Sequence, residues 1–180
     1  FHAPKNEVEW LHGENGHQFG RRGITQSVKA VHTDAPNGPC SLEITLQPAQ
    51  AKGSGTILAF DDSVVPKDSF ALRQFDGSLA IQRPGVDAQG KIVRSWWKTD
   101  RVFAKGKRVV LSVISTPGKT LLYVDGMYVS SSSDFGLVDH DFTGRLVLGN
   151  SMTQDSWTGQ ITGLAVYHVA LTPSQVAENA

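Results

Sequence analysis

The last third of the chain sets the tightest limit on its fold. Leu121-Leu122-Tyr123-Val124-Asp125-Gly126 is followed by Gly144-Arg145-Leu146-Val147-Leu148-Gly149. Then come Trp157-Thr158-Gly159-Gln160-Ile161-Thr162-Gly163-Leu164-Ala165-Val166-Tyr167 and Ala170-Leu171-Thr172-Pro173. In order these read as strand, tight Asp-Gly turn, strand, loop, strand, loop, long strand and capped helical turn. Thr172 reads as an N-cap, Pro173 as the first helical residue and Gln175 as the third, which together make a capping box for a short helix to about Asn179.

The same alternation of short apolar runs with Gly, Pro, Asn and Asp continues upstream. It predicts strands at 18–19, 23–28, 40–46, 55–60, 70–75, 78–82, 92–96, 108–115, 120–124, 127–132, 145–149 and 159–167. No helical period is sustained before Thr172, so the fold is all-β, a sandwich or barrel. Asp76-Gly77 and Asp125-Gly126 each suit a two-residue type I′ turn. The first pairs Phe75 with Ser78 and runs back to Ala71 with Gln82. Alternation then puts Phe70, Leu72, Leu79 and Ile81 on a core face, and Ala71, Arg73, Phe75, Ser78, Ala80 and Gln82 on a mixed, solvated face. The second pairs Val124 with Met127, Tyr123 with Tyr128 and Leu122 with Val129. Its core face would carry Leu122, Val124, Met127 and Val129. The opposed tyrosines on its other face either lie under a covering segment or line a groove.

At 180 residues the chain is read as one domain, residues 1–180. Seventeen basic residues balance seventeen acidic ones (Lys+Arg 17, Asp+Glu 17), and the pI is about 7.2. Nothing in that balance points to nucleic acid or an anionic membrane. The basic run Lys98, Arg101, Lys105, Lys107, Arg108 reads as a solvated loop. Cys40 is the single cysteine, which excludes an intrachain disulfide and reads as core filling. No apolar run reaches the roughly 20 residues of a membrane span, so no direct membrane insertion is expected within this chain. The chain begins at Phe1, which points to an excised or processed stretch of a longer protein.

The hairpin Tyr123-Val124-Asp125-Gly126, the strand end Leu148-Gly149 and the run Trp157-Thr158-Gly159-Gln160-Ile161 ending in Ala165-Val166-Tyr167 resemble, in order and spacing, the end of LamG-like domains. That resemblance covers roughly residues 108–176. It implies a concanavalin A-like jelly-roll sandwich of two antiparallel sheets with a short C-terminal helical turn. Asn15-Gly16-His17-Gln18-Phe19-Gly20-Arg21-Arg22-Gly23-Ile24 is similar to the entry of LamG-type modules on VanZ-like bacterial membrane proteins. This implies an extracytoplasmic or secreted module, tethered through segments outside the chain. Many relatives carry an acidic pair after the last-strand isoleucine, near a calcium ion. Here those positions are Thr162 and Gly163. Oxygen ligands for calcium would come from Asp61, Asp62 and Asp155.

Glucanases built on this sandwich need two carboxylates across a sugar, about 5 Å apart or further. The glutamates are Glu7, Glu9, Glu14, Glu43 and Glu178, so none falls between residues 44 and 177. No strand presents carboxylates at i, i+2. No Gly-x-Ser-x-Gly elbow, phosphate loop or metal-ligand histidine spacing is present. The expectation is therefore a non-catalytic, lectin-like module. Glycan binding would use aromatic faces with a few polar groups: Tyr123 and Tyr128 from one hairpin, Arg73 and Gln82 from the other, and whichever of Trp96 and Trp97 faces outward. Trp10 and Trp157 are expected to pack the sandwich ends. The competing reading is a protein-interaction or sensory module without glycan binding.

Overall fold

The computed structural model describes residues 7–13, 15–61, 70–86, 88–151 and 155–180. Its strands are β1 (Val8–Leu11), β2 (Gly16–Phe19), β3 (Thr25–Gln26), β4 (Cys40–Pro48), β5 (Ser54–Asp61), β6 (Phe70–Phe75), β7 (Ser78–Val86), β8 (Ile92–Thr99), β9 (Val109–Thr116), β10 (Lys119–Val124), β11 (Met127–Ser132), β12 (Arg145–Leu148) and β13 (Gly159–Tyr167). A 3-10 turn spans Asp139–Phe142, and helix α1 spans Pro173–Asn179. Every predicted strand is present. β1 is the addition: it is an edge strand whose Glu9 and Trp10 face solvent, so it lacks an alternating signal.

The strands form two antiparallel sheets, a seven-stranded one in the order β1-β2-β13-β4-β9-β10-β11 and a six-stranded one in the order β3-β12-β5-β6-β7-β8. Their facing sides supply one core. Phe19, Leu42, Ile44, Leu46, Leu111, Val113 and Leu122 come from the larger sheet; Leu58, Phe60, Phe70, Leu72, Leu79 and Ile81 come from the smaller. Phe142 from the 3-10 turn stacks edge-on to Phe70, ring centroids 4.8 Å apart. Among the described residues no helix is long and apolar enough to cross a membrane.

Both Asp-Gly turns hold positive φ at both residues, as a type I′ turn requires: 47° and 82° at Asp76-Gly77, 48° and 75° at Asp125-Gly126. The first hairpin has the predicted register from Phe75–Ser78 to Ala71–Gln82. The second departs from it. Tyr123 pairs with Tyr128, but Leu122 pairs with Ser130, so Val129 is the extra residue of a β-bulge. The bulge turns Val129 out of the core. Val129 is 44% exposed and Met127 71% exposed, where the alternation alone placed both inside.

Helix α1 starts as predicted: Gln175 N donates to Thr172 Oγ1, and Thr172 N donates to Gln175 Oε1. Its Val176 packs with Ile114, Tyr123 and Leu171 on the outer face of the larger sheet. Beneath it lies the buried carboxylate of Glu43, which accepts from Ser112 Oγ, Tyr167 Oη and Asn179 Nδ2 at 2.9, 3.2 and 2.8 Å. Burial, and then the Glu43 carboxylate, push the Tyr167 hydroxyl up, which keeps it a donor.

Trp157 packs a sandwich end as expected, whereas Trp10 does not: it is 52% exposed, its ring edge-on to His17. The Trp157 ring explains the glycine two residues later, because a Cβ on Gly159 would lie 2.3 Å from the indole and 2.5 Å from the Gln47 carbonyl oxygen. Its Nε1 donates to Gln74 Oε1 at 2.7 Å, and Gln74 Nε2 donates to the carbonyls of Gln50 and Ala51. Gln74→Leu keeps the volume and strands the buried indole N–H. It is expected to lower the unfolding free energy by about 1–3 kcal/mol in denaturant titrations.

Candidate functional site

β6, β7 and β8 lie side by side, and their outer faces read directly from the ladder. Arg73 pairs with Ala80, and Ala80 with Lys98; Phe75 pairs with Ser78; Gln82 pairs with Trp96. Ala80 is thus a methyl floor ringed by longer side chains. The result is an open cavity of about 340 Å³ lined by Arg73, Phe75, Ala80, Trp96 and Lys98. Trp96 and Phe75 are 47% and 57% exposed, a large aromatic area in water. The Arg73 guanidinium lies 5.5 Å from the centre of the Trp96 ring, and Lys98 Nζ lies 5.6 Å from that of Phe75.

Each cation here has a carboxylate partner. Arg73 is joined to Asp155, whose Oδ2 also accepts from Thr56 Oγ1 at 3.0 Å. Lys98 lies 3.2 Å from Asp100, which accepts from Ser78 Oγ at 2.8 Å. The Ser78 hydrogen bond, followed by Lys98, holds the Asp100 carboxyl below the usual carboxylate range. The patch therefore offers ring faces and hydrogen-bonding groups with its charges balanced.

The structure separates the residues that the sequence grouped. Arg73 and Trp96 share the cavity. Gln82 is on the same face but is 1% exposed, between Ala71 and Trp96, so it is not offered to a ligand. Trp97 points the other way, its ring 6.2 Å from Phe135 at the core, as strand alternation requires. Tyr123 and Tyr128 belong to the other sheet. They cannot join Arg73 in one groove. Tyr123 is 8% exposed beneath α1, and Tyr128 is 56% exposed, edge-on to it at 5.9 Å. Phe75 and Lys98 are the site residues not singled out. Lys98 belongs to β8, which runs to Thr99, and its i, i+2 spacing from Trp96 is the signal that placed them together.

The aspartates proposed for calcium are also apart. Asp155 is bound to Arg73. Asp61 ends β5 opposite Arg145 and lines a different cleft with His32 and His140. Asp62 lies outside the described residues. Among the described residues no group of three or more His, Cys, Asp or Glu could hold a metal ion, and the positions after Ile161 are Thr162 and Gly163. Asp61 and Asp155 are therefore not brought together on one ion.

Asp139 and Asp141 are buried in the 3-10 turn. His168 Nδ1 lies 2.8 Å from Asp139, and Val138 N donates to Asp141 Oδ2. Burial, then these two carboxylates, push the Cys40 thiol up to about 12. A group whose pKa is raised that far stays protonated and unreactive at neutral pH. Iodoacetamide at about pH 8 is expected to leave Cys40 unmodified in the folded protein and to alkylate it in denaturant, as read by mass spectrometry. The two tryptophans give a second check. Trp96→Ala is expected to change the unfolding free energy by no more than about 0.5 kcal/mol. Trp97→Ala removes packing from the core side and should cost on the order of 2 kcal/mol.

A family model described as the concanavalin A-like lectin/glucanases superfamily matches residues 22–177. No curated protein sequence matches the chain. Among solved structures, the receptor binding domain of botulinum neurotoxin D superimposes with a TM-score of 0.68 at 12% identity, over 97% of this chain and 46% of that one. The type G receptor binding domain gives 0.56 at 10% identity, over 88% and 46%. The chain thus spans about half the length of these toxin domains (46%). The CBM40 of the Ruminococcus gnavus IT-sialidase, solved with alpha2,3 sialyllactose, gives 0.62 at 9% identity, over 86% of this chain and 97% of that one. At such identities the likeness is one of fold. The extent of the family match and the two-sheet topology together make this chain a member of the concanavalin A-like lectin/glucanases superfamily.

Proposed function

We propose that the chain is a non-catalytic carbohydrate-binding module that works outside the cytoplasm, with Trp96 as the platform for a sugar ring. The observation that carries this reading is the open cavity over Ala80, walled by the exposed rings of Trp96 and Phe75. A pyranose has one apolar face that stacks on such a ring, while its hydroxyls take hydrogen bonds from flanking side chains. Arg73 and Lys98 stand where those donors are needed, and their balanced charges suit a neutral sugar at this patch. The CBM40 structure with alpha2,3 sialyllactose is a fold-level precedent for glycan binding.

The absence of catalysis in this reading rests on the carboxylates. Glu43 is buried under α1, and the aspartates nearest the cavity are each held by a cation. Among the described residues no acid–base pair faces the space a sugar would fill. Affinity is expected to be the same in EDTA and in millimolar calcium, because the Arg73 guanidinium already occupies Asp155.

A glycan array followed by calorimetry tests the proposal. Trp96→Ala should weaken the best glycan by about tenfold or more, the loss of roughly 1.4 kcal/mol of stacking and apolar contact, with the fold intact by circular dichroism. Failure of every glycan to bind, or an unchanged affinity in that variant, overturns it. The outermost strand β11 favours the protein-interaction reading, because Met127, Tyr128 and Val129 form an exposed apolar run there. Tyr128→Ser should leave glycan affinity unchanged if the cavity over Ala80 is the binding site.

A further inference from the structure

The outer face of the larger sheet is only half covered by α1. Beyond the helix, β4 and β13 expose a second cleft of about 410 Å³, lined by Thr45, Gln47, Arg108, Gln160 and Thr162. Gln160 and Gln47 are directly paired across the ladder. Thr45 pairs with Gly163. The register slips between Ile161 and Gly163, so Thr162 is the extra residue of a β-bulge, a device that re-aims a side chain. Arg108 stands just before β9 at the rim, and it is exposed.

The chemistry of this cleft differs from that of the cavity over Ala80. Among the described residues, none of the five side chains is spent on a hydrogen bond or an ion pair within the chain. Among the described residues no carboxylate lines the cleft. The nearest one on the same face of β4, Glu43, is occupied by Ser112, Tyr167 and Asn179. One guanidinium fork, two amides and two hydroxyls therefore converge on one concavity with a positive charge and, among the described residues, no anion to answer it.

We infer that this cleft is a second binding site, and that it takes a hydroxylated ligand bearing a carboxylate, such as a uronic acid residue of a glycan. The Arg108 fork matches a carboxylate with two parallel N–H···O bonds. The paired amides of Gln47 and Gln160 each offer a donor and an acceptor, the set that vicinal hydroxyls need. The site stands on the opposite sheet from Trp96 and does not depend on the sugar platform there.

Titration of the isotope-labelled chain with sodium glucuronate, glucose and sodium sulfate, read on side-chain amide resonances, tests it. Glucuronate is expected to shift the Gln47 and Gln160 NH₂ signals saturably. Arg108→Gln should weaken that binding by about tenfold or more, the worth of a charge-assisted pair. Trp96→Ala should leave it within about twofold, since the two sites share no side chain. Lys107→Gln serves as a control for general charge and should have little effect. The inference is overturned if glucuronate shifts neither amide, if glucose or sulfate alone does so equally well, or if Arg108→Gln leaves the affinity unchanged. It is also overturned if Trp96→Ala abolishes the shifts, which would assign the ligand to the cavity over Ala80.

Discussion

The burial of Trp157 is the contact on which the rest of the molecule hangs. Its indole fills the end of the core, its N–H is satisfied by Gln74 from the six-stranded sheet, and its ring lies on Gly159, the first residue of a strand in the seven-stranded sheet. One side chain therefore fixes how the two sheets meet. It also fixes the segment before it. Trp157 N donates to the Gly149 carbonyl, Thr56 N donates to the Asp155 carbonyl, and the close approach of Gly55 to Ser156 leaves no room for a side chain there. Asp155 is held in place by this strap, and it in turn holds Arg73 beside Trp96. The surface chemistry of the sugar platform is in this sense an extension of core packing.

The two outer faces of the sandwich have taken different courses. On the seven-stranded side a short helix covers Tyr123 and Glu43, and the polar end beyond it stays open. On the six-stranded side the open part is aromatic, and its depth comes from a single alanine between long neighbours. A Cβ-sized floor with ring walls needs no loop to shape it. Three adjacent strands suffice, so the geometry is as rigid as the sheet itself.

Much of this was legible in the residues. The Asp76-Gly77 turn dictated its hairpin register, and with it the shared face of Arg73, Phe75 and Ala80. The adjacency of Trp96 and Trp97 sent them to opposite faces. What escaped were features set by tertiary context. A bulge at Val129 has no glycine or proline to announce it, so the alternation from Met127 appeared to continue. Opposed tyrosines look alike in sequence whether a helix lies over them or not, and the helix is distant in the chain. Asp155 in a loop gives no sign of its guanidinium partner, because only folding closes the distance to Arg73.

The bulge at Val129 has a consequence for how the molecule behaves in concentrated solution. β11 is the last strand of its sheet, and a straight, apolar last strand invites another chain to add on through its unpaired amides, the first step towards fibrils. An extra residue breaks the even spacing of those amides and twists the rim. A neighbour can still touch Met127 and Tyr128 with its side chains, but it meets no regular template to lengthen the sheet. The slip that carries Val129 out of the core thus acts as a guard against open-ended self-assembly.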